Sequence, residues 1–374
     1  MKALGAIFKV IRIIYFMDDS KFNKYKVSYD LLNNVMGKAI DLCHEMKDID
    51  YICKECDNLI KDEINKSYKK LEKGIMMPTC ISRNKVVCHC NRYEDCKLKE
   101  GDILRIEMAC HIDYNVSSLG KTIKVGDVNW ESNLLNAAKA AMKLGIQKIE
   151  PGLNLQEFKK VLEKVAKCNN VYLLKRPDVY HDIDTEIFFD WCHRDWERYN
   201  EPSWVVKYEH ELELDEQYID EEEIEKNNNF SIGEAYHLIV GFTNSEKKCK
   251  VSDIRPCLYQ NTKIKSQLKI KSSREMISKV NKNFDKLLFN LEDIPMELTG
   301  AKIGARECTS KGVLRNLGVV ELDSEIVILK CTVIVQRNSV YVLDKELDIK
   351  TENFSNELKE LSSLPKKFDL RETI

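Results

Sequence analysis

One period constrains this chain more than any other property: its first half recurs in its second. LLNNVMGKAIDLCHEM, beginning at Leu31, is answered by LLNAAKAAMKLGIQKI, beginning at Leu134, and the helical pattern over 52–63 is answered by 155–166 at the same offset of 103 residues. Further on, GDILRIE at Gly101 is answered by GEAYHLI at Gly233, at an offset of 132. The growth in offset is what an insertion in the second copy produces. That insertion holds the acidic run 209–225, EHELELDEQYIDEEEIE, which reads as a solvated surface loop. A unit of helix, helix, strand and hairpin used twice predicts an α+β fold, in which a pseudo-twofold sheet carries its helices on the outer side.

Within the first copy, a long amphipathic helix is expected from Tyr29, with Leu31, Leu32, Val35, Met36, Ile40 and Cys43 as its apolar stripe. A second helix carries Ile52, Cys56, Leu59, Ile60 and Ile64, and GIMMPTCIS at 74–82 reads as a buried strand. Residues 101–125, GDILRIEMACHIDYNVSSLGKTIKV, read as a hairpin: Ile103, Arg105 and Glu107 share one face, and Leu104, Ile106 and Met108 share the other. The stretch HIDYNVSS after Cys110 has the look of its turn. After Asp253 the character changes. Residues 260–286 hold eight basic side chains against two acidic ones, and Met276, Ile277, Val280, Phe284, Leu287 and Leu288 form a helical stripe that leaves the lysines outside. A helix near 303–314 and a short strand at Val319 and Val320 complete a small helical insert before IVILKCTVIV at 326–335, a β-branched strand. The expected division is an N-terminal extension over 1–23, a main domain over 24–254 and 325–374, and a basic insert over 255–324.

With 59 basic against 61 acidic residues, any contact with nucleic acid must come from local segregation of charge. Fourteen cysteines without a secretory signal point to reduced thiols in a cytoplasmic or nuclear protein. Cys53-x-x-Cys56 and Cys88-His89-Cys90 have zinc-ligand residue types. However, the first pair lies in a helical pattern and no second CxxC stands at finger spacing, so small buried hydrophobes is the better reading. Residues 3–17 are apolar but broken by Lys9 and Arg12, too short for the roughly 20 residues a membrane span needs. They read as a surface-docking helix, or as a start that belongs at Met17. No P-loop, GxSxG or HExxH is present.

Five stretches in this order carry a resemblance: Lys24-Tyr25-Lys26; GIMMPTCIS with VVCHC; LKEGDILRIEMACHID; SSREMISKVNKNFDKLLFNL; and LKCTVIV. Over about residues 24–342 the chain resembles the methionine-aminopeptidase-like pita-bread fold, with an insert placed as in the type II enzymes. It is more closely similar to the proliferation-associated (ErbB-receptor-binding) protein family, which shares that fold without peptidase activity. The resemblance implies that the Asp, Asp, His, Glu and Glu ligands of an active site fall on Glu107, Ser118, Arg176, Ile239 and Lys330. One carboxylate does not hold a pair of hard divalent ions, and an ammonium about 4 Å from such an ion costs roughly 8 kcal/mol at an effective dielectric near 20. Lys330 can instead pair with Glu107 and close the site. His89 matches a substrate-contacting histidine, and His181 is expected near the same pocket.

The resemblance therefore implies a pseudo-enzyme with no metal and no cofactor. It implies a factor that binds the large ribosomal subunit, its rRNA and ribosomal proteins near the tunnel exit, with no membrane partner. The residues suited to RNA phosphates are Lys263, Lys265, Lys269, Lys271, Arg274, Lys279 and Lys282. An aminopeptidase with a rebuilt site and an adaptor that binds proteins through the residual cleft are the alternatives.

Overall fold

The computed structural model describes residues 17–127, 129–175, 205–206, 229–285, 287–337, 339–344 and 369–372. The first copy runs α1 (Asp19–Leu42), α2 (Ile49–Ile64), β1 (Lys73–Arg83), β2 (Ile103–Ile112) and β3 (Asn115–Lys124). The second runs α3 (Asn133–Lys148), α4 (Gln156–Asn169), short strands β4 (Tyr172–Leu173) and β5 (Val205–Val206), and then β6 (Glu234–Thr243). Gly101 and Gly233, equivalent in the two copies, both adopt positive φ, at 83° and 82°. That backbone conformation is one a side chain would strain, so the repeat preserves the same entry into β2 and β6.

Helix α1 starts at Asp19, well before Tyr29, because the Asp18 side chain caps it by accepting from the Lys21 N–H at 2.6 Å. The early turns bury Tyr25 and Ser28 rather than aliphatic residues, so apolar periodicity alone starts the helix late. On β2, Leu104, Ile106, Met108, Cys110 and Ile112 pack with α1 and α2 into one apolar cluster, which leaves the alternate residues for the opposite face. The hairpin turn is shorter than HIDYNVSS suggests. Strand β2 continues through Ile112, and the turn is only Asp113 and Tyr114, at φ 53° and 55°. Both are left-handed, as a two-residue turn matching strand twist requires. Ser118 consequently lies in a strand and not in a loop.

The second copy treats its hairpin differently. Strand β6 pairs along its whole length with β12 (Ile326–Val335), and the intervening chain is the insert. Around this pair the main sheet runs β1-β2-β3-β12-β13-β14, with β13 (Ser339–Val342) and β14 (Asp369–Glu372) at one end and β6 joined to β12. Helices α3 and α4 pack on β6 and β12 in a second apolar cluster that includes Phe158, Leu162, Leu238 and Val333.

The insert has its own sheet, β10-β8-β9, made of β8 (Leu258–Asn261), β9 (Phe289–Asn290) and β10 (Leu314–Asn316). It has its own core as well, with Met276 and Val280 of α5 (Lys271–Asn283) meeting Ala305 and Cys308 of α6 (Leu298–Ser310). Helix α6 begins earlier than residue 303 because Glu297 caps it through the N–H groups of Thr299 and Gly300, and Leu314 already belongs to a strand. Val320 and Glu321 form β11, which pairs with β7 (Lys250–Val251) and ties the two ends of the insert together. Among the described residues no helix is long and apolar enough to cross a membrane.

Candidate functional site

Strand register assembles the site. Cys80 of β1 pairs with Glu107 of β2, Glu107 with Gly120 of β3, Gly120 with Lys330 of β12, and Lys330 with Ile239 of β6. These five residues make one row across five strands. The duplication is visible in it: Glu107 faces Gly120 as Ile239 faces Lys330. The Lys330 Nζ lies 2.5 Å from Glu107 Oε1, with side chains only 2% and 1% exposed. Gly120 is what lets the lysine cross the sheet, since a Cβ there would stand 2.9 Å from Lys330 Cγ. Glu107 Oε2 also accepts from the His89 N–H at 3.3 Å. Burial pushes the Glu107 carboxyl up, but Lys330 and then His89 outweigh it and hold the group below the usual carboxylate range. Burial, reinforced by Glu107, drives the neighbouring Cys80 and Cys88 thiols well up, so neither is a thiolate nucleophile.

A second row lies two residues along. Ala109 pairs with Ser118, and Thr332 with His237. Thr332 Oγ1 donates to the Ser118 carbonyl and accepts from the Ser118 N–H, both at 3.1 Å, stitching β3 to β12. His237 Nδ1 faces Ser118 Oγ at 2.8 Å and Thr332 Oγ1 at 3.0 Å. Burial, and behind it the Lys330 charge, push His237 down to about 3, so its imidazole is neutral at ordinary pH. Sequence reasoning missed His237. Alternation back from Ile239 would have placed it on the site face, as alternation from Lys330 would have placed Thr332.

The loop that brings in His89 is held by Arg105. This buried guanidinium donates to the carbonyls of Asn84, Val86 and Ile326, pinning the chain before Cys88 to the start of β12. Burial lowers its pKa only to about 10, so it keeps its charge. His89 itself sits at φ 60°, an uncommon conformation for a side-chain-bearing residue, and its carbonyl accepts from the Cys257 thiol of the insert at 3.3 Å.

The structure thus brings together Glu107, Ser118, Ile239, Lys330 and His89. Arg176 and His181, and the acidic run 209–225, lie outside the described residues, as do residues 1–16. The donors assembled are one carboxylate already held by an ammonium, hydroxyls, and two imidazoles whose Nδ1 atoms are engaged, His237 by Ser118 and Thr332 and His89 by the Cys88 thiol. A pair of divalent ions does not fit them, because the lysine takes the carboxylate that would face the metal. Among the described residues no group of three or more His, Cys, Asp or Glu is arranged to hold a metal, and Cys53 and Cys56 are buried on α2.

The second candidate surface is the insert. Lys265, Lys269, Lys271, Arg274 and Lys282 are exposed. Lys263 and Lys279 are half-buried and engaged, Lys263 with Asp285 and Lys279 with Glu275 and the Pro295 carbonyl. Glu307 of α6 accepts from the N–H groups of Lys269 and Ile270, which ties this basic segment to α6.

Residues 23–187 match the model of metallopeptidase family M24. The chain is 26% identical to ErbB-3 binding protein 1 of Solanum tuberosum over 361 residues, 92% of this chain and 87% of that one. It is also 26% identical to a curved DNA-binding protein of Schizosaccharomyces pombe over 306 residues, 78% of this chain and 74% of that one. Among solved structures, a thermophilic Arx1 superposes with a TM-score of 0.73 at 18% identity, covering 93% of this chain and 99% of that one. At that identity the likeness establishes the fold, an α+β pita-bread arrangement.

Proposed function

Starting from the pita-bread fold and the match of residues 23–187 to metallopeptidase family M24, we propose that the chain works without peptidase chemistry, as a ribosome-associated RNA-binding factor. The observation that carries the first half is the buried Lys330–Glu107 pair, which fills the row where the family's metal chemistry would be done. The second half is supported by the exposed lysines of the insert on a chain with no net positive charge. Charge gathered on one small unit suits shape-and-phosphate reading of structured RNA. A relative named for nucleic-acid binding fits the same reading.

The docking site we propose is the rRNA of the large subunit near the tunnel exit, with the insert as the contact surface and residues 255–324 as its extent. The test is co-sedimentation with separated subunits across a salt series. Large-subunit binding that weakens steeply with salt is expected. No binding at low salt removes the reading, and stoichiometric Mn, Co or Zn in the purified protein would restore the peptidase one.

A further inference from the structure

The loop that brings in His89 runs on through Cys90 to Arg92 and forms a seam with the insert. Register sets this seam. Leu258 of β8 pairs with Asn290 of β9, and the Asn290 side chain accepts from the Asn91 amide at 3.2 Å. Arg92 reaches Glu292 of the insert at 2.7 Å. Cys257, one residue before β8, is thereby carried to the loop, and its thiol donates to the His89 carbonyl at 3.3 Å. The Asn91 N–H approaches the same sulfur. Cys257 Sγ therefore lies against the peptide groups on both sides of Cys90. The Cys90 thiol donates to the Arg92 carbonyl at 3.3 Å, and the two sulfurs are within hydrogen-bonding reach of each other. Both are free thiols, one from the main domain and one from the insert.

Proximity alone does not make such a pair react, because the attacking species is the thiolate. Burial drives the thiols of Cys43, Cys53, Cys56, Cys80 and Cys88 up, which removes their thiolates at ordinary pH. Cys90 differs from all of these. A hydrogen bond from Cys257 outweighs burial and holds its thiol below the ordinary range, while that bond and burial hold Cys257 well above it. One sulfur is disposed to lose its proton and its neighbour to keep one. Cys90 is fully buried, and Cys257, at 9% exposed, gives the pair its edge toward solvent. An oxidant that reaches them there has to be close to water in size, which selects a small peroxide over a bulky disulfide.

We propose that Cys90 and Cys257 form a modification site at which hydrogen peroxide makes a disulfide, locking the His89 loop to the insert. The Cys90 thiolate attacks one peroxide oxygen, the O–O bond breaks, and a sulfenic acid forms as hydroxide leaves. Hydroxide takes up the proton that Cys90 had released. The Cys257 sulfur then attacks the Cys90 sulfur, and the sulfenic oxygen departs as water with the Cys257 proton. The two sulfurs together give up two electrons, and the peroxide becomes two molecules of water. A dithiol reductant reverses the bond by exchange. The link fixes the insert against the main domain without engaging an exposed lysine, so it stands apart from any contact with RNA.

The test treats the full chain at neutral pH with a small molar excess of hydrogen peroxide, blocks the remaining thiols with N-ethylmaleimide under denaturing conditions, and maps linked peptides by mass spectrometry. A loss of about 2 Da through one Cys90–Cys257 link, restored by dithiothreitol, is expected. The oxidised chain should also unfold at a higher temperature, because the bond closes a long loop. In Cys257→Ser the reaction should stop at the Cys90 sulfenic acid, which dimedone traps, whereas Cys90→Ser should give no dimedone adduct on Cys257. Mapping of the unaltered chain decides the matter even where a variant folds poorly. Links that pair either cysteine with another partner, dimedone capture at Cys257 in place of Cys90, or a Cys90–Cys257 pair still reduced under peroxide overturns the proposal.

Discussion

Replacing Lys330 by Met leaves Glu107 buried without its ammonium. At 2.5 Å the attraction is about 7 kcal/mol at an effective dielectric near 20, most of it offset by the desolvation of two ions. The pair as a whole therefore adds little, while losing one partner is expensive. With the lysine gone, Glu107 folds protonated, and protonating a carboxyl of ordinary pKa at pH 7 costs about 4 kcal/mol. This agrees with the roughly 3–5 kcal/mol found when buried pairs are broken. The assay is urea unfolding followed by tryptophan fluorescence, with Lys330→Met/Glu107→Gln closing the cycle. The double variant should recover to within about 2 kcal/mol of the parent.

The pH dependence has a definite sign. Glu107 is held below its ordinary pKa in the fold, so its stabilisation is present above the ordinary carboxylate pKa and fades as pH falls through the depressed one. The deficit of Lys330→Met should accordingly shrink on acidification toward pH 4 or so. A single-variant cost under about 1 kcal/mol, unchanged by pH, would refute the buried pair.

His237 gives the second prediction. Its pKa falls to about 3 in the fold, so stability is full above the free-histidine value and is lost as pH drops from 6.5 toward 3, by on the order of 5 kcal/mol. His237→Gln should flatten that part of a stability–pH profile. Gly145→Ala would place a Cβ 2.3 Å from Phe158 Cε2, where α3 crosses α4. A loss of about 1–3 kcal/mol in thermal or urea unfolding is expected. On the insert, Glu at Lys265, Lys269 and Lys271 should weaken ribosome binding and reduce its log–log salt slope by about 2 to 3. Glu at Lys263 or Lys279, whose ammonium groups already face Asp285 and Glu275, should change that slope far less.

The duplication made the sheet legible, because a repeat fixes which residues share a row before any contact is known. From Glu107 and the strand offset of 132, Ile239 could be placed as its counterpart, and the register puts both in one row. What escaped notice were features set by a single atom or turn. The Asp18 cap moves the start of α1 to Asp19 without leaving an apolar period, and Asp113-Tyr114 makes a tight turn without the Asn-Gly or Asp-Gly signature. His237 went unnoticed because its partners, Ser118 and Thr332, are 119 and 95 residues away. The lysine count of the insert was readable, but ion pairing that withdraws Lys263 and Lys279 from solvent was not.

The closed site and the basic insert are parts of one change to the second copy. In the first copy β2 and β3 are joined by two residues, whereas in the second the equivalent pair, β6 and β12, is opened to admit the insert. The strand that returns from the insert is the one that carries Lys330. The insert's base rests on the same face of the sheet, where Cys257, Leu258, Leu288 and Leu317 pack with Met77, Cys80 and Ala109. Ala109 and Cys80 are immediate neighbours of Glu107, by alternation along β2 and by register across β1. Opening the Lys330–Glu107 pair therefore disturbs the seat of the insert before it disturbs any exposed lysine. A ribosome-binding defect in Lys330→Met should follow its loss of stability and leave the salt slope of the folded fraction unchanged, whereas the lysine reversals change the slope and leave stability intact.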